Sequence, residues 1–161
     1  MRIEEHIPAD AEVGVGLVLE KGDHYLFFIA GERHVCPDGK LFFAGIGGHL
    51  EEGEGFIECA RREAKEEISC EIDILSASET YRITSNGEIK TIDIHDKPKP
   101  LAMFAMLQSK GGTQEGAVYH IIIYRAEIKS VINRLKKDEV RGLISLSRKQ
   151  VVHCLDAKPT I

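Results

Sequence analysis

Between residues 48 and 70 the chain reads GHLEEGEGFIECARREAKEEISC, a glycine-bounded turn running into an amphipathic helix. From about residue 55 to 68, Ile57, Ala60, Ala64 and Ile68 recur at spacings of three and four, which builds one apolar stripe. At about 100° per residue, Glu63 and Glu67 stack one turn apart along the border of that stripe, with Glu66 on the neighbouring line. Stacked carboxylates at i and i+4 repel each other, and an ordinary solvated helix would place a lysine at the second position. Carboxylates that converge at a half-shielded border with no basic partner at the expected spacing are costly unless a cation neutralises them. The helix is therefore expected to pack its stripe on a core and to offer Glu63, Glu66 and Glu67 to a metal ion.

The rest of the chain supplies strands. Residues 12–20 (EVGVGLVLE) and 25–30 (YLFFIA) flank a Lys21-Gly22-Asp23 turn, and residues 41–44 lead to a glycine-rich bend at 45–48. After the helix, strand-like runs fall at 71–75, 79–84, 89–94, 101–107, 118–128 and 140–146, with turns at 85–87 and 110–112. Asn86-Gly87 predicts a hairpin. A second helix is expected to start near Ser147 with Val151, Val152 and Leu155 on one side, and residues 130–137 are expected to hold a short helical turn. Strands on both sides of a helix, with many hairpin signals, point to an α+β sandwich with a mixed sheet. No repeat, low-complexity tract or linker interrupts the 161 residues, so a single domain over 1–161 is expected.

Composition narrows the partners. With 26 acidic and 21 basic residues the net charge is −5, which argues against a nucleic-acid polymer. Small phosphorylated molecules remain open if metal ions bridge the two sets of negative charge. The start, MRIEEH, lacks the apolar segment of a secretory signal, and no apolar run is long enough for a bilayer. No membrane partner and a cytoplasmic location are expected. Cys36, Cys59, Cys70 and Cys154 have no paired metal-ligand spacing; Cys59 and Cys70 suit a core, in a reducing compartment.

All-oxygen ligation selects a hard ion, so Mg²⁺ (or Mn²⁺) is the expected cofactor. Gly45, Gly47 and Gly48 let the backbone approach a metal or phosphate closely. Glu54 precedes the helix, where its charge favours the amino-terminal dipole, and Arg62 is placed to hold Glu54 or Glu66. In spacing, the segment resembles the Nudix box: a glycine, five residues, Glu, seven residues, Arg-Glu, an apolar residue, any residue, Glu-Glu, any residue, Gly, an apolar residue. Here Gly48, Glu54, Arg62, Glu63, Ala64, Glu66 and Glu67 agree in register, while Ser69 stands for the late glycine and Cys70 for the last apolar position.

The resemblance implies the Nudix-type α/β/α sandwich and hydrolysis of a diphosphate linkage in a nucleoside diphosphate joined to another moiety. It implies that Glu63 and Glu67 bind metal directly, with Glu66 close by and the Gly47 carbonyl as a ligand, while Gly48, Glu54 and Arg62 support the box structurally. It also implies a further acid from a loop before the last strand; Asp138-Glu139 stands there, and Glu139 is favoured as base, with Glu63 acting through a water as the other candidate. Ser69 falls where a left-handed backbone is expected, and Ile46 replaces a proline common in relatives. His49, His120, Glu115, Phe42, Phe43, Lys136 and Lys137 read as structural or surface residues. Two other readings compete: a non-catalytic Nudix-fold nucleotide-binding or regulatory module, and an isoprenyl diphosphate isomerase, which no cysteine–glutamate pairing supports. Pro98 and Pro100 lie too far downstream for the ADP-ribose type, Tyr81 too close for the dinucleoside-polyphosphate type, and the coenzyme A signature is missing, so the substrate stays open. Residues 80–116 read as an extended hairpin region suited to shaping specificity or to a homodimer interface.

Overall fold

Strands lie at Glu12–Lys21 (β1), His24–Ala30 (β2), Phe43–Ala44 (β3), Ile46–His49 (β4), Ile72–Leu75 (β5), Thr80–Thr84 (β6), Ile89–Ile92 (β7), Ala102–Leu107 (β8), Val118–Ile128 (β9) and Val140–Ser147 (β10). Helices occupy Phe56–Ile68 (α1) and Arg148–His153 (α2), and a 3-10 turn covers Ile3–His6. These assignments come from a computed structural model that describes residues 1–31, 43–107 and 118–153. The expectations for Cys36, Phe42, Glu115, Cys154, Leu155 and the turn at 110–112 fall outside the described residues.

The strands form one mixed sheet in the order β10-β2-β1-β9-β8-β6-β7, with β3 against β2, β4 against β1 and β5 against β9. The central pair β1/β9 is parallel, as is β6/β8, and the other pairings are antiparallel. This is the mixed-sheet architecture expected for the Nudix sandwich. Each central strand divides its outer edge between two partners. β1 pairs with β4 through residues 14–17 and with β2 through residues 19–21. β9 likewise gives residues 118–123 to β8 and residues 125–128 to β5. Between Leu17 and Leu19 the edge of β1 thus passes from β4 to β2.

Alternation sets the core. Val15, Leu17 and Leu19 of β1 sit in register with Ile122, Tyr124 and Ala126 of β9, and all six are buried. Against them pack Cys59, Ala60, Ala64 and Ile68 of α1, so the expected stripe is buried, with Ile57 half-buried at its edge. The helix ends as its spacing predicts. Ser69 takes a left-handed conformation (φ 53°, ψ 37°), its N–H returning to the Lys65 carbonyl and that of Cys70 to Ala64.

Two expectations are corrected. Residues 46–48, read as part of a bend, belong to β4: Ile46, Gly47, Gly48 and His49 pair with Leu17, Gly16, Val15 and Gly14. The edge of β1 offers ladder bonds that outweigh glycine's entropy cost. Residues 130–137 form no helical turn. The Lys136 N–H donates instead to the Glu67 carbonyl at the end of α1 (2.8 Å), and the Lys136 carbonyl accepts from Glu139 and Val140 at 2.9 and 2.7 Å. The Asn86-Gly87 hairpin joins β6 to β7 as expected. Among the described residues no helix is long and apolar enough to cross a membrane.

Candidate functional site

Helix α1 reaches the sheet across β4, and the contact is close because β4 is glycine-rich. A Cβ at Gly48 would stand 2.1 Å from a carboxylate oxygen of Glu63, so only glycine lets Glu63 lie over the strand. One turn on, Glu67 is 7% exposed and its carboxylate accepts the Gly47 N–H at 3.2 Å. The Cys59 thiol lies 3.7 and 3.6 Å from the Gly48 and His49 carbonyls and bridges helix to strand. Burial pushes that thiol up to about 12, leaving it protonated and unreactive at neutral pH.

Arg62 organises the other side. Its Nε and Nη2 donate to the two oxygens of Glu54 at 2.8 and 2.9 Å, a forked pair of charge-assisted bonds. Nη2 also reaches the His49 carbonyl at 3.0 Å, and Nη1 reaches Glu63 at 2.6 Å and Glu66 at 3.7 Å. The forked guanidinium holds the Glu54 carboxyl down to about 2. The expectation that the helix carboxylates lack a basic partner is therefore corrected: Arg62 touches two of them.

The Glu67 carboxyl goes the other way. Burial, with further repulsion from Glu63 and Glu139, pushes it up to about 8, against the Gly47 hydrogen bond. Glu63, Glu67 and Glu139 line one cavity of about 570 Å³ together with Gly47, Gly48 and Tyr119. Glu139 comes there on the loop tied to the end of α1, and its own carbonyl accepts the Gly31 N–H at 2.7 Å. Lys136, expected to be plain surface, brings its Nζ to 3.6 Å from the Glu139 carboxylate. Glu66 is not drawn in: its side chain is half exposed and lies outside the cavity wall.

The donor set has the chemistry a divalent cation requires: hard oxygens on a buried helix face, in mutual repulsion, beside a glycine strand. Among the described residues no three acidic, imidazole or thiol side chains are close enough to enclose an ion as they stand.

Sequence reasoning missed His49 and Tyr119, which share the cavity wall. The available signal was the glycine alternation of Gly14 and Gly16 in β1, which marks where a neighbour's side chain lies across a strand.

A family model described as the NUDIX domain matches residues 10–152. The chain belongs to the Nudix family. That membership carries the expected enzyme class, a Nudix-type pyrophosphohydrolase, in a family that generally uses divalent metals. The Nudix domain here resembles a NUDIX hydrolase from Nitrosomonas europaea at 17% identity, with 89% of this chain and 77% of that one covered and a TM-score of 0.57. It also resembles a NUDIX-family hydrolase from Clostridium perfringens at 16% identity, covering 88% and 84%, TM-score 0.56. A UDP-X diphosphatase aligns at 13% identity over 88% of this chain and 53% of that one, TM-score 0.55. At these identities the likeness speaks to the fold alone. No curated protein matches the chain.

Proposed function

We propose that this Nudix protein is a Mg²⁺- or Mn²⁺-dependent hydrolase that cleaves the diphosphate linkage of a nucleoside diphosphate joined to another moiety. One observation carries the reading: the buried Glu67, beside Glu63 and Glu139 in one cavity, is a repulsive cluster that a divalent cation would relieve. Glu63, Glu67 and the Gly47 backbone carbonyl would hold the metal, with Glu66 joining by rotation from its exposed position. Bound there, the metal would neutralise the diphosphate oxygens and the charge that develops on the leaving phosphate.

The chain's own groups do the rest. Glu67 stays anchored by the Gly47 N–H, and Arg62 fixes Glu63 in reach of the cavity while holding Glu54 against the start of the helix. Glu139 lines the same cavity, where its carboxylate would take a proton from the attacking water as the new bond to phosphorus forms and the bond to the leaving phosphate breaks. Lys136, 3.6 Å away, steadies that carboxylate. Gly16 of β1 and Gly47 and Gly48 of β4, with no side chains to fill the cavity they line, leave room for a chain of phosphates. The free, buried thiols of Cys59 and Cys70 suit a reducing compartment such as the cytoplasm.

Stripped of divalent ions by chelation, the protein is expected to be inert towards a panel of nucleoside diphosphate conjugates and to recover on addition of Mg²⁺ or Mn²⁺. Full turnover in chelator would overturn the metal's part. Tight binding across the panel with no cleavage of any member would replace hydrolysis by a sensing role.

Glu139→Gln tests the base. The substitution keeps the shape of the cavity wall and removes the proton acceptor, so kcat should fall by about two orders of magnitude while substrate affinity stays near that of the parent. A variant with parental kcat moves the base to Glu63.

A further inference from the structure

An anionic substrate needs hydrogen-bond donors, and this cavity is poor in them. Its carboxylates, once ionised around a cation, only accept, and Arg62 is committed to Glu54 and Glu63. Among the described residues of the wall, only His49 and Tyr119 carry a side-chain donor. Tyr119, the second residue of β9, is 9% exposed, and its ring stacks on His49 with centroids 4.6 Å apart and an interplanar angle of 24°. His49 is itself held, its Nε2 lying 3.1 Å from a Glu12 carboxylate oxygen while its carbonyl accepts from Arg62.

The hydroxyl of Tyr119 lies over Gly14 of β1. A Cβ at that position would stand 1.7 Å from the hydroxyl oxygen and 2.5 Å from the Gly48 carbonyl. Gly14 and Gly48 sit on paired strands one residue apart in register. Two neighbouring glycines thus each make room for a polar atom of the same cavity, the Glu63 carboxylate over one and the Tyr119 hydroxyl over the other. With His49 on its face and Gly14 beneath its hydroxyl, the phenol is fixed before any ligand arrives. Among the described residues no group hydrogen-bonds this hydroxyl, which belongs to a side chain on the cavity wall.

We propose that Tyr119 is a substrate-binding residue whose hydroxyl donates a hydrogen bond to a phosphate oxygen of the diphosphate. The assignment rests on the diphosphate reading above and adds to it a neutral donor, placed among acceptors, that recognises the phosphate directly. His49 acts as a positioning residue that clamps the ring.

The test measures binding, by calorimetry, of methylenediphosphonate, a non-cleavable diphosphate, to the full chain in saturating Mg²⁺. Tyr119→Phe removes the oxygen alone, and its affinity should fall about tenfold or more, the loss typical of a hydrogen bond to a charged group. Its melting temperature should stay within a degree or two of the parent's, because among the described residues the hydroxyl has no partner to lose. Gly14→Ala keeps the phenol but drives its hydroxyl from the niche, and it should weaken binding in the same direction. Parental affinity in Tyr119→Phe, or no binding of the probe by the wild type, overturns the assignment. Turnover of the wild type is measured on the same preparation, so failure of the hydrolytic reading is seen separately from the affinity comparison.

Discussion

Glu67→Gln is expected to fold at least as well as the parent while its kcat falls by about two to three orders of magnitude, the range for losing a key electrostatic group. The two halves of that result have one cause. The Glu67 carboxylate is 7% exposed, faces Glu63 and Glu139, and as an anion is favoured by the Gly47 N–H. That arrangement is unfavourable for folding and useful for holding a cation. The amide keeps the shape and an acceptor for Gly47, removes the repulsion and removes the ligand charge.

The pH dependence has a definite sign. In metal-free protein the Glu67 carboxyl sits near 8, against 4.5 ordinarily, so between those values the native state keeps a proton that the unfolded chain has released. Stability should therefore fall as pH rises from about 4.5 to 8, and this part of the slope should vanish in Glu67→Gln or when Mg²⁺ saturates the site. Thermal melts in chelator across that range, for parent and variant, make the comparison. A fully active Glu67→Gln, or identical slopes in the two proteins, would remove Glu67 from the role given to it.

Arg62→Ala is expected to lose both stability and activity. Arg62 is the common partner of Glu54, Glu63 and the His49 carbonyl, and its removal leaves two poorly solvated carboxylates without their shared cation. Breaking such a pair from one side is strongly destabilising when buried. With the Arg62 side chain about one-fifth exposed, a loss on the order of 5–10 °C in melting temperature is expected. Activity should fall with it, because Glu63 loses the contact that holds it over Gly48.

Here too the sign follows from the titration. The Glu54 carboxyl is held down to about 2, so its contribution is complete above the ordinary value of 4.5 and is lost as pH falls towards 2. The stability gap between Arg62→Ala and the parent should be widest at neutral pH and close in acid. A gap that stays constant down to pH 3 would show that Arg62 acts through packing of its stem instead.

What could be read from the sequence was local and periodic. The stripe of Ala60, Ala64 and Ile68, the shielding of Glu67 and the left-handed Ser69 all follow from helix geometry within one segment. Glu139 was singled out through the family resemblance, which implies an acid in the loop before the last strand, and it lines the cavity. β4 was not, since its glycines look like turn residues until β1, some thirty residues earlier, presents an edge for them. The bond from Arg62 to Glu63 was hidden for another reason. Adjacent residues on a helix do not face each other, and the contact exists because a long, flexible stem carries the guanidinium round. Tyr119 needed the parallel pairing of β9 with β1, a contact between distant parts of the chain.

The hydrogen bond from the Lys136 N–H to the Glu67 carbonyl divides the loop before β10 into two stretches with different tolerance for change. Upstream of Lys136, residues 131–134 are exposed or only half-buried, and added length there would cost little more than the entropy of closing a longer loop. Downstream, only Lys137 and Asp138 separate the fastened amide from Glu139. An insertion there would swing the carboxylate off the cavity wall even with every strand intact. Drift in loop length among descendants of this chain is thus channelled to one side of a single peptide bond.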